Sequence, residues 1–319
     1  MERSLNPQHP TDKAAILNPI QPGSIRAWML ACRLPSLALA LGPVLVGGSL
    51  AYLRTGGVNL IVAFLALCAA MLMQLITNLQ NDLGYMVRGA ARAGAHSGLP
   101  RASVNGWLST RQLRGAICLL GLLATAIGVT LVAYRGWPVL AIGGLSLLAA
   151  LAYMGGPRPI AYTPLGELTV LLFFGLIAVL GTDWLLSGGS SVLSVLAALA
   201  LGSLAAAALA VNNQRDVAHD RSAGRRTFAV CFGSGAAQTL FSLLLALAFV
   251  LLPFMAGVAR APLLLLPWVL LPRALRIRYD FAACRQGSDF NLILLRSFQL
   301  GLHFALLLAF ATLLSRFAQ

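Results

Sequence analysis

Long, continuous runs of apolar residues, separated by short polar segments, dominate the chain from about residue 25 onward. Most of these runs approach or exceed the length of about 20 residues that a helix needs to cross the hydrocarbon core of a bilayer. Because apolar residues fill the runs instead of alternating with polar ones, the pattern favours helices over a transmembrane β-barrel. We therefore predict nine transmembrane helices at approximately residues 27–53, 60–78, 113–134, 138–154, 165–186, 191–213, 235–257, 261–279 and 290–314.

The composition is typical of a polytopic membrane protein. Hydrophobic residues make up 59% of the 319 residues and charged residues only 10%, which is too little charge to cover the surface of a soluble domain of this size. Residues 1–24 are polar, contain Pro10, Pro19 and Pro22, and lack the apolar core of a secretory signal. We expect a disordered cytoplasmic tail at 1–24 and a single membrane domain at 25–319.

The net charge of +14 is distributed unevenly across the membrane. If the N-terminus is cytoplasmic, 18 basic residues fall in the inner segments, and only four lie at outer ends, namely Arg54, Arg135, Arg260 and Arg316. This bias follows the positive-inside rule. It predicts a multi-pass protein of the bacterial cytoplasmic membrane with its N-terminus inside and its C-terminus outside. Topology and contact with the lipid bilayer then account for the basic charge, without a nucleic-acid partner.

Two related polar motifs interrupt this apolar pattern. Asn78 and Asp82 form one Asn-x-x-x-Asp step, and Asn212 and Asp216 form another that continues at the same spacing to Asp220. Side chains four residues apart share one face of a helix, and a carboxylate at membrane depth costs roughly 2.5–3.5 kcal/mol, so such residues usually mark function. Oxygen ligands suit Mg²⁺, and arginines suit phosphate oxygens. The pattern predicts a diphosphate site bridged by magnesium.

A purely structural role is the alternative, because polar residues near helix ends also hydrogen-bond to neighbouring helices. Two copies of the motif, 134 residues apart, on the same predicted side and each followed by a basic loop, favour a functional site. They also predict two similar helical halves around one central cavity. Asp183 lies near the predicted outer face, where we expect it to be solvated.

Several stretches of the chain resemble a known family. They are residues 33–36, 78–84, 159–167, 212–221 and 289–291. Over about residues 26–315 the chain resembles the UbiA superfamily of intramembrane prenyltransferases, and within it the branch that prenylates 1,4-dihydroxy-2-naphthoate. The stretch at 212–221 is the most specific of these matches, and the stretch at 78–84 matches only in part.

This resemblance implies nine helices around a cavity and a Mg²⁺-dependent reaction of menaquinone biosynthesis. A polyprenyl group would pass from a polyprenyl diphosphate to an aromatic acceptor, with 1,4-dihydroxy-2-naphthoate as the expected one. Catalysis and metal binding are implied for Asp82, Asp216 and Asp220. Diphosphate binding and lining of the site are implied for Asn78, Arg88, Tyr153, Arg158, Tyr162, Asn212, Arg215 and Arg225.

The first motif departs from the family pattern. Tyr85 stands where a second aspartate is expected, no acidic residue occurs between Asp82 and Glu167, and Arg225 stands where the family usually has lysine. A neutral phenol is a poorer Mg²⁺ ligand than a carboxylate. Three interpretations stay open: the ordinary transferase, a repurposed or degenerate member with another acceptor or no turnover, and a membrane transporter with paired repeats. Prenyl chain length, acceptor identity and oligomeric state are not determined by the sequence.

Overall fold

The computed structural model describes residues 20–89, 101–285, 287 and 289–317, and the regular secondary structure of these residues is entirely helical. Residues 1–19 of the predicted tail and residues 90–100 of the loop after the first motif lie outside the described ranges. Residues 20–24 contact the bundle, because the Gly23 N–H donates to the Trp107 carbonyl at 2.8 Å and Ile20 packs on a small apolar cluster around Leu79.

Twelve α-helices occur in the described ranges. They are α1 (Ile25–Cys32), α2 (Ala38–Thr55), α3 (Leu60–Val87), α4 (Thr110–Arg135), α5 (Pro138–Met154), α6 (Gly166–Val170), α7 (Gly181–Ser187), α8 (Val192–Arg215), α9 (Val217–Ser222), α10 (Phe228–Ala259), α11 (Leu271–Ala283) and α12 (Phe290–Phe317). Three 3₁₀ segments occur at Leu34–Leu37, Ile160–Tyr162 and Pro262–Leu270. A π-helical segment, Leu171–Leu180, joins α6 to α7.

Seven helical segments of the described chain are long and apolar enough to cross a membrane. They are Leu34–Thr55, Leu60–Val87, Thr110–Arg135, Gly166–Ser187, Val192–Arg215, Phe228–Ala259 and Phe290–Phe317. Each overlaps one of the predicted runs, but the run predicted as one helix at 27–53 divides at Arg33 into α1 and Leu34–Thr55. The chain is therefore a multi-pass membrane protein with an all-helical fold.

Two of the nine predicted runs take another form. The run at 138–154 is the apolar helix α5, whose 17 residues span only about 25 Å at 1.5 Å per residue. The run at 261–279 divides into the 3₁₀ segment Pro262–Leu270 and the arginine-rich helix α11. Proline removes backbone donors and disfavours a continuous α-helix, and Pro262, Pro267 and Pro272 all lie in this stretch.

Polar side chains define where several helices begin. The Asn59 side chain accepts hydrogen bonds from the backbone N–H groups of the first turn of α3. Ser109 with Gln112 at the start of α4, and Ser191 with Ser194 at the start of α8, form reciprocal caps. Such caps satisfy backbone donors that have no partner within the helix.

Helix α8 lies at the middle of the bundle and contacts α2, α6, α9, α10, α12 and the π-helical segment. In the most apolar stretch of α8, 72% of the residues are buried inside the protein, compared with 6% in the most apolar stretch of α4. Small residues permit this burial. A Cβ added to Gly175 of the π-helical segment would lie 2.4 Å from the Ala198 carbonyl and 2.8 Å from Gly202 Cα, so the two backbones meet directly, as small residues allow in membranes.

The structure contradicts the expectation that Asp183 is solvated. Its side chain is buried, forms an ion pair with Arg54 at 2.7 Å, and accepts a hydrogen bond from the Ser194 hydroxyl. Because α2 and α7 pack together, the predicted outer basic residue Arg54 reaches the carboxylate, and burial is compensated by pairing.

We expect Gly175→Ala to destabilise the bundle by about 1–3 kcal/mol, because the added methyl group overpacks a backbone contact. Thermal unfolding of purified protein in detergent measures this change. Gly181→Ala is the matched control, since a Cβ there meets nothing within 4 Å and alanine favours helix. Equal unfolding temperatures for the two variants would contradict the close contact.

Candidate active site

The two polar motifs lie at the same end of the bundle. Asn78 and Asp82 lie in the last turns of α3, Asp216 caps the end of α8, and Asp220 lies on α9. The Tyr85 hydroxyl of α3 lies 3.4 Å from Asp220 Oδ1. This contact joins the two motifs into one site, as their common side in the sequence predicted.

Asp82 is held by the loop that precedes α4. Its carboxylate is buried and accepts hydrogen bonds from the Ser103 hydroxyl at 2.8 Å and the Ser103 backbone N–H at 3.3 Å. The described part of this loop, residues 101–109, therefore covers the first motif. Sequence reasoning gave Ser103 no role, because its contact with Asp82 depends on how the loop folds back.

Asp216 forms an ion pair with the preceding residue. Arg215 Nε and Nη2 donate to the two carboxylate oxygens, each at 2.8 Å. The same guanidinium donates to Asn212 Oδ1 and to Asn291 Oδ1 on α12, both at 2.8 Å. Arg215 thus joins α8 to α12 and fixes the orientation of Asp216, a bidentate geometry that arginine favours.

Asp220 is fully buried and pairs with Arg225, whose Nη1 lies 2.7 Å from Oδ1. The Asp220 Oδ2 atom is buried and has no hydrogen-bond partner among the described residues. Burial raises the pKa of the Asp220 carboxyl to about 6, and the nearby Arg225 acts in the opposite direction. An incompletely satisfied buried carboxylate is typical of a ligand-binding position.

Tyr85 lies between two arginines. Its hydroxyl accepts a 2.6 Å hydrogen bond from Arg225 Nη1, and the Arg101 guanidinium lies 3.3 Å from the centre of its ring. The edge of the His219 ring contacts the same tyrosine at 5.6 Å between ring centres. The residue that replaces the expected aspartate is therefore buried inside the site and not displaced from it.

The structure brings some of the other predicted diphosphate-binding residues together and leaves Arg158 apart from them. Arg88 donates to the carbonyls of Met154 and Gly156 and lies 5.3 Å over the Tyr162 ring. Arg225 also approaches that ring at 5.7 Å, so these three side chains belong to one cluster. Arg158 is exposed on the same connection, and no contact places it within this cluster.

Asn78 is engaged in contacts that organise the first helices. Its side-chain nitrogen donates to the Cys32 carbonyl at 2.8 Å and to the Ser36 hydroxyl at 2.9 Å. Gln74 donates to the same hydroxyl at 3.1 Å and to Asn78 Oδ1 at 3.2 Å. In these contacts Asn78 fixes the link between α1 and α2 against α3, which is the structural role that sequence reasoning kept as an alternative.

A cavity of about 360 Å³ adjoins the motifs. Polar residues line it near the motif end, including Arg33, Asn78, Asn81, Tyr153, Asn212 and Arg215. Apolar residues line the rest, including Leu39, Met73, Phe173, Phe174, Ile177 and Phe298. A second cavity of about 240 Å³ shares Ala70, Met73 and Ile177 with the first and extends to Trp184 and Leu185. Together they form an apolar space that leads away from a polar end.

The donor set suits a hard cation. Among the described residues no three His, Cys, Asp or Glu side chains are grouped closely enough to hold a metal, and Asp216 and Asp220 are each paired with an arginine. Three of the buried oxygens that have no hydrogen-bond partner in the described chain belong to the two motif regions: Asn81 Oδ1, Gln214 Oε1 and Asp220 Oδ2. Carboxylate and amide oxygens are the ligands that Mg²⁺ accepts, so the residues fit such an ion.

Sequence reasoning missed four further residues of the site. Asn81 and Gln214 lie inside the two motifs, so the motif pattern itself was the available signal. Arg33 opens the matching stretch 33–36, so that stretch was the available signal for it, whereas the contribution of Arg101 depends on tertiary contacts. Arg33 adopts a left-handed backbone conformation, with φ of 48°, at the end of α1, which is an uncommon state for a residue other than glycine.

Comparison with known proteins agrees with this geometry. The chain is 36% identical over 228 residues to 1,4-dihydroxy-2-naphthoate octaprenyltransferase of Escherichia coli, covering 69% of this chain and 73% of that protein. It is 32% identical over 271 residues to the protein of the same name from Mycobacterium tuberculosis, covering 83% of this chain and 89% of that protein.

Solved structures show the same fold. A UbiA homolog from Archaeoglobus fulgidus bound to GPP and Mg²⁺ aligns with a TM-score of 0.64 at 19% identity, covering 90% of this chain and 99% of that one. The apo structure of a UbiA homolog from Aeropyrum pernix aligns with a TM-score of 0.65 at 19% identity, covering 87% and 97%. The model of the UbiA prenyltransferase family matches residues 40–293, and the chain therefore belongs to that family.

Proposed function

We propose that the protein transfers a polyprenyl group from a polyprenyl diphosphate to 1,4-dihydroxy-2-naphthoate, a step of menaquinone biosynthesis. The single observation that supports this most is the apolar cavity whose polar end is lined by arginines and amides of the two motif regions, among them Asn78, Asn212 and Arg215. Such a cavity suits a long isoprenoid attached to an anionic head. The relatives named for this reaction support the choice of acceptor, and the family match favours a transferase over a transporter.

In this proposal each part of the site has one task. Arginines, with Arg88 and Arg225 closest to the connection after α5, hold the diphosphate by charge-assisted hydrogen bonds. Asp82, Asp216 and Asp220 would hold Mg²⁺, and the ion would supply positive charge that stabilises the leaving diphosphate. Phe173 and Phe174, with other apolar residues of the cavity, enclose the prenyl tail and keep water from the reacting carbon.

The bond changes balance as follows. The carbon–oxygen bond of the allylic diphosphate breaks, and its electron pair leaves with the diphosphate. An electron-rich carbon of the acceptor ring attacks the allylic cation and forms the new carbon–carbon bond. The group that this ring carbon carried then leaves without the bonding electrons, which restores aromaticity. Asn212 and Tyr153 line the polar end of the cavity, where donor and acceptor would meet, and Tyr162 lies beside Arg88 and Arg225. Arg158 is exposed on the same connection and has no direct role in this proposal.

The proposed topology has nine crossings, with the N-terminus inside and the C-terminus outside. Support for the eighth crossing comes from Pro262–Ala283, because nine 3₁₀ residues and thirteen α-helical residues would extend about 37 Å. The segment Pro262–Leu270 also contacts both α10 and α12, as expected of a member of the helical layer. The positive-inside distribution supports the orientation.

For the chemistry, we expect Asp216→Asn and Asp220→Asn each to lower Mg²⁺-dependent turnover at least about 100-fold, the scale of losing one group that stabilises transition-state charge. Product formation from labelled polyprenyl diphosphate, Mg²⁺ and 1,4-dihydroxy-2-naphthoate measures this loss. Asp280→Asn is the control, because that carboxylate pairs with Arg276 and Arg296 on α11 and α12.

Unchanged turnover in Asp216→Asn would refute the assignment of the metal site. A wild-type protein that forms no product with naphthoate or benzoate acceptors would instead favour the repurposed family member. The two failures are therefore distinguishable in one assay.

For the tail, we expect Ala70→Leu to block use of long polyprenyl donors while leaving geranyl diphosphate turnover within about twofold. Ala70 lines both cavities, so added volume there closes the passage between them. Relative turnover with donors of increasing length measures the effect. Ala126→Leu on the exposed face of α4 is the control, and an equal fall for short and long donors would contradict the assignment.

For the topology, we expect a membrane-impermeant maleimide to label a cysteine placed by Arg260→Cys in intact cells but not Cys284. The comparison uses chains in which the other native cysteines are replaced by serine. Labelling of both positions, or of neither, would contradict a crossing between α10 and α12, because both positions would then lie on one side. Permeabilised cells provide the control for reactivity.

A further inference from the structure

Arg101 is a buried guanidinium whose donors are incompletely used. Its side chain is only 6% exposed, and its Nε and Nη1 atoms are buried without a hydrogen-bond partner in the described part of the chain. Removing such donors from water without partners is costly. Arg215 and Arg225, by contrast, each form an ion pair with a neighbouring aspartate. A buried guanidinium with two unpartnered nitrogen atoms indicates an anion-binding position.

The loop fixes Arg101 in place. The Arg101 carbonyl accepts hydrogen bonds from the backbone and side-chain nitrogens of Asn105 at 3.0 and 2.8 Å. Two residues further on, Ser103 is bonded to Asp82. The turn is therefore anchored on the first motif, and the side chain extends from a defined backbone position.

The ring of Tyr85 is the surface on which Arg101 rests. The guanidinium carbon lies 3.3 Å from the ring centre, a close stacking arrangement that arginine favours over lysine. Tyr85 is itself fixed, because its hydroxyl accepts a hydrogen bond from Arg225 Nη1 at 2.6 Å. One tyrosine therefore connects a guanidinium from each motif region.

Carboxylates of both motifs interact electrostatically with Arg101. Burial lowers the pKa of the Arg101 guanidinium, whereas Tyr85, Asp82 and Asp216 act to raise it. The guanidinium stays charged at neutral pH, since arginine does not lose its proton in proteins. Asp82 comes from α3 and Asp216 from the end of α8, so Arg101 lies within the field of both.

We propose that Arg101 binds the donor diphosphate directly and that Tyr85 is a positioning residue, whose ring holds the Arg101 guanidinium in place. This inference rests on the proposed function. An aspartate at position 85 would have contributed to binding a cation. In this chain the Arg101 side chain, stacked on Tyr85, brings positive charge into the same part of the site instead. Diphosphate binding in this protein then depends less on divalent cations than it would with an aspartate at position 85.

Binding of geranyl thiodiphosphate, an unreactive donor analogue, to the full-length protein in detergent tests the proposal, with Mg²⁺ and with EDTA. We expect Arg101→Gln to weaken binding about tenfold or more under both conditions, as for loss of a charge-assisted contact. Arg101→Lys keeps the charge but not the planar stacking, so its loss should be smaller. Arg111→Gln, at an exposed arginine of α4, should bind like the wild type.

Variants of Tyr85 distinguish positioning of the Arg101 guanidinium from general damage to the fold. Tyr85→Phe keeps the ring and should retain most of the affinity, whereas Tyr85→Leu should match Arg101→Gln. The double variant Arg101→Gln with Tyr85→Leu should lose no more than either single change, because the two residues act as one unit. Tyr85→Asp should bind the analogue poorly in EDTA and regain affinity as Mg²⁺ is added.

Unfolding temperatures of all variants are measured beside the affinities. Wild-type affinity in Arg101→Gln would overturn the inference and leave the proposed function standing. Additive losses in the double variant would overturn the role of Tyr85. A wild-type protein that does not bind the analogue under either condition would overturn the proposed function and the inference with it.

Discussion

The contact between Tyr85 and the Arg225–Asp220 pair connects the end of α3 to the segment after α8. Without it, the two polar motifs would be carried by separate helices with no direct bond between them. All three side chains are buried, so the hydroxyl, guanidinium and carboxylate interact in a low-dielectric environment where an unpaired group is costly. This network therefore bonds the two motifs directly to each other, in addition to the packing of the helices that carry them.

Arginine pairing also determines the state of the carboxylates in the ligand-free protein. Asp216 and Asp220 each have an arginine partner, and Asp82 has the Ser103 hydroxyl and N–H. A metal–diphosphate complex would exchange these partners, with carboxylates turning to the cation and guanidiniums to phosphate oxygens. The net interaction energy is then a difference between two well-paired states, which limits the cost of keeping charges buried before the substrate arrives.

The sequence predicted the parts of this molecule that depend on local pattern. Long apolar runs located the helices, and the two Asn-x-x-x-Asp steps indicated the candidate site, because both are patterns among residues close in sequence. The run at 261–279 was less informative, since three prolines turn part of it into a 3₁₀ segment. Arg101 and Ser103 were not predicted as site residues, and Asp183 was wrongly expected to be solvated. Their environments arise from contacts between segments distant in sequence, which a local pattern does not contain.

Helix α5 separates the cavity from the surrounding lipid by the thickness of one helix. Its small residues Gly143, Ser146 and Ala150 line the cavity, while Leu145 and Leu148 are exposed on its outer face. By contrast, the backbone contact of Gly175 with Gly202 leaves no room for an acyl chain between the π-helical segment and α8. If the proposed function holds, an isoprenoid in the bilayer is separated from the cavity at α5 by a single helix, so lateral exchange with the lipid is easier there than between the π-helical segment and α8.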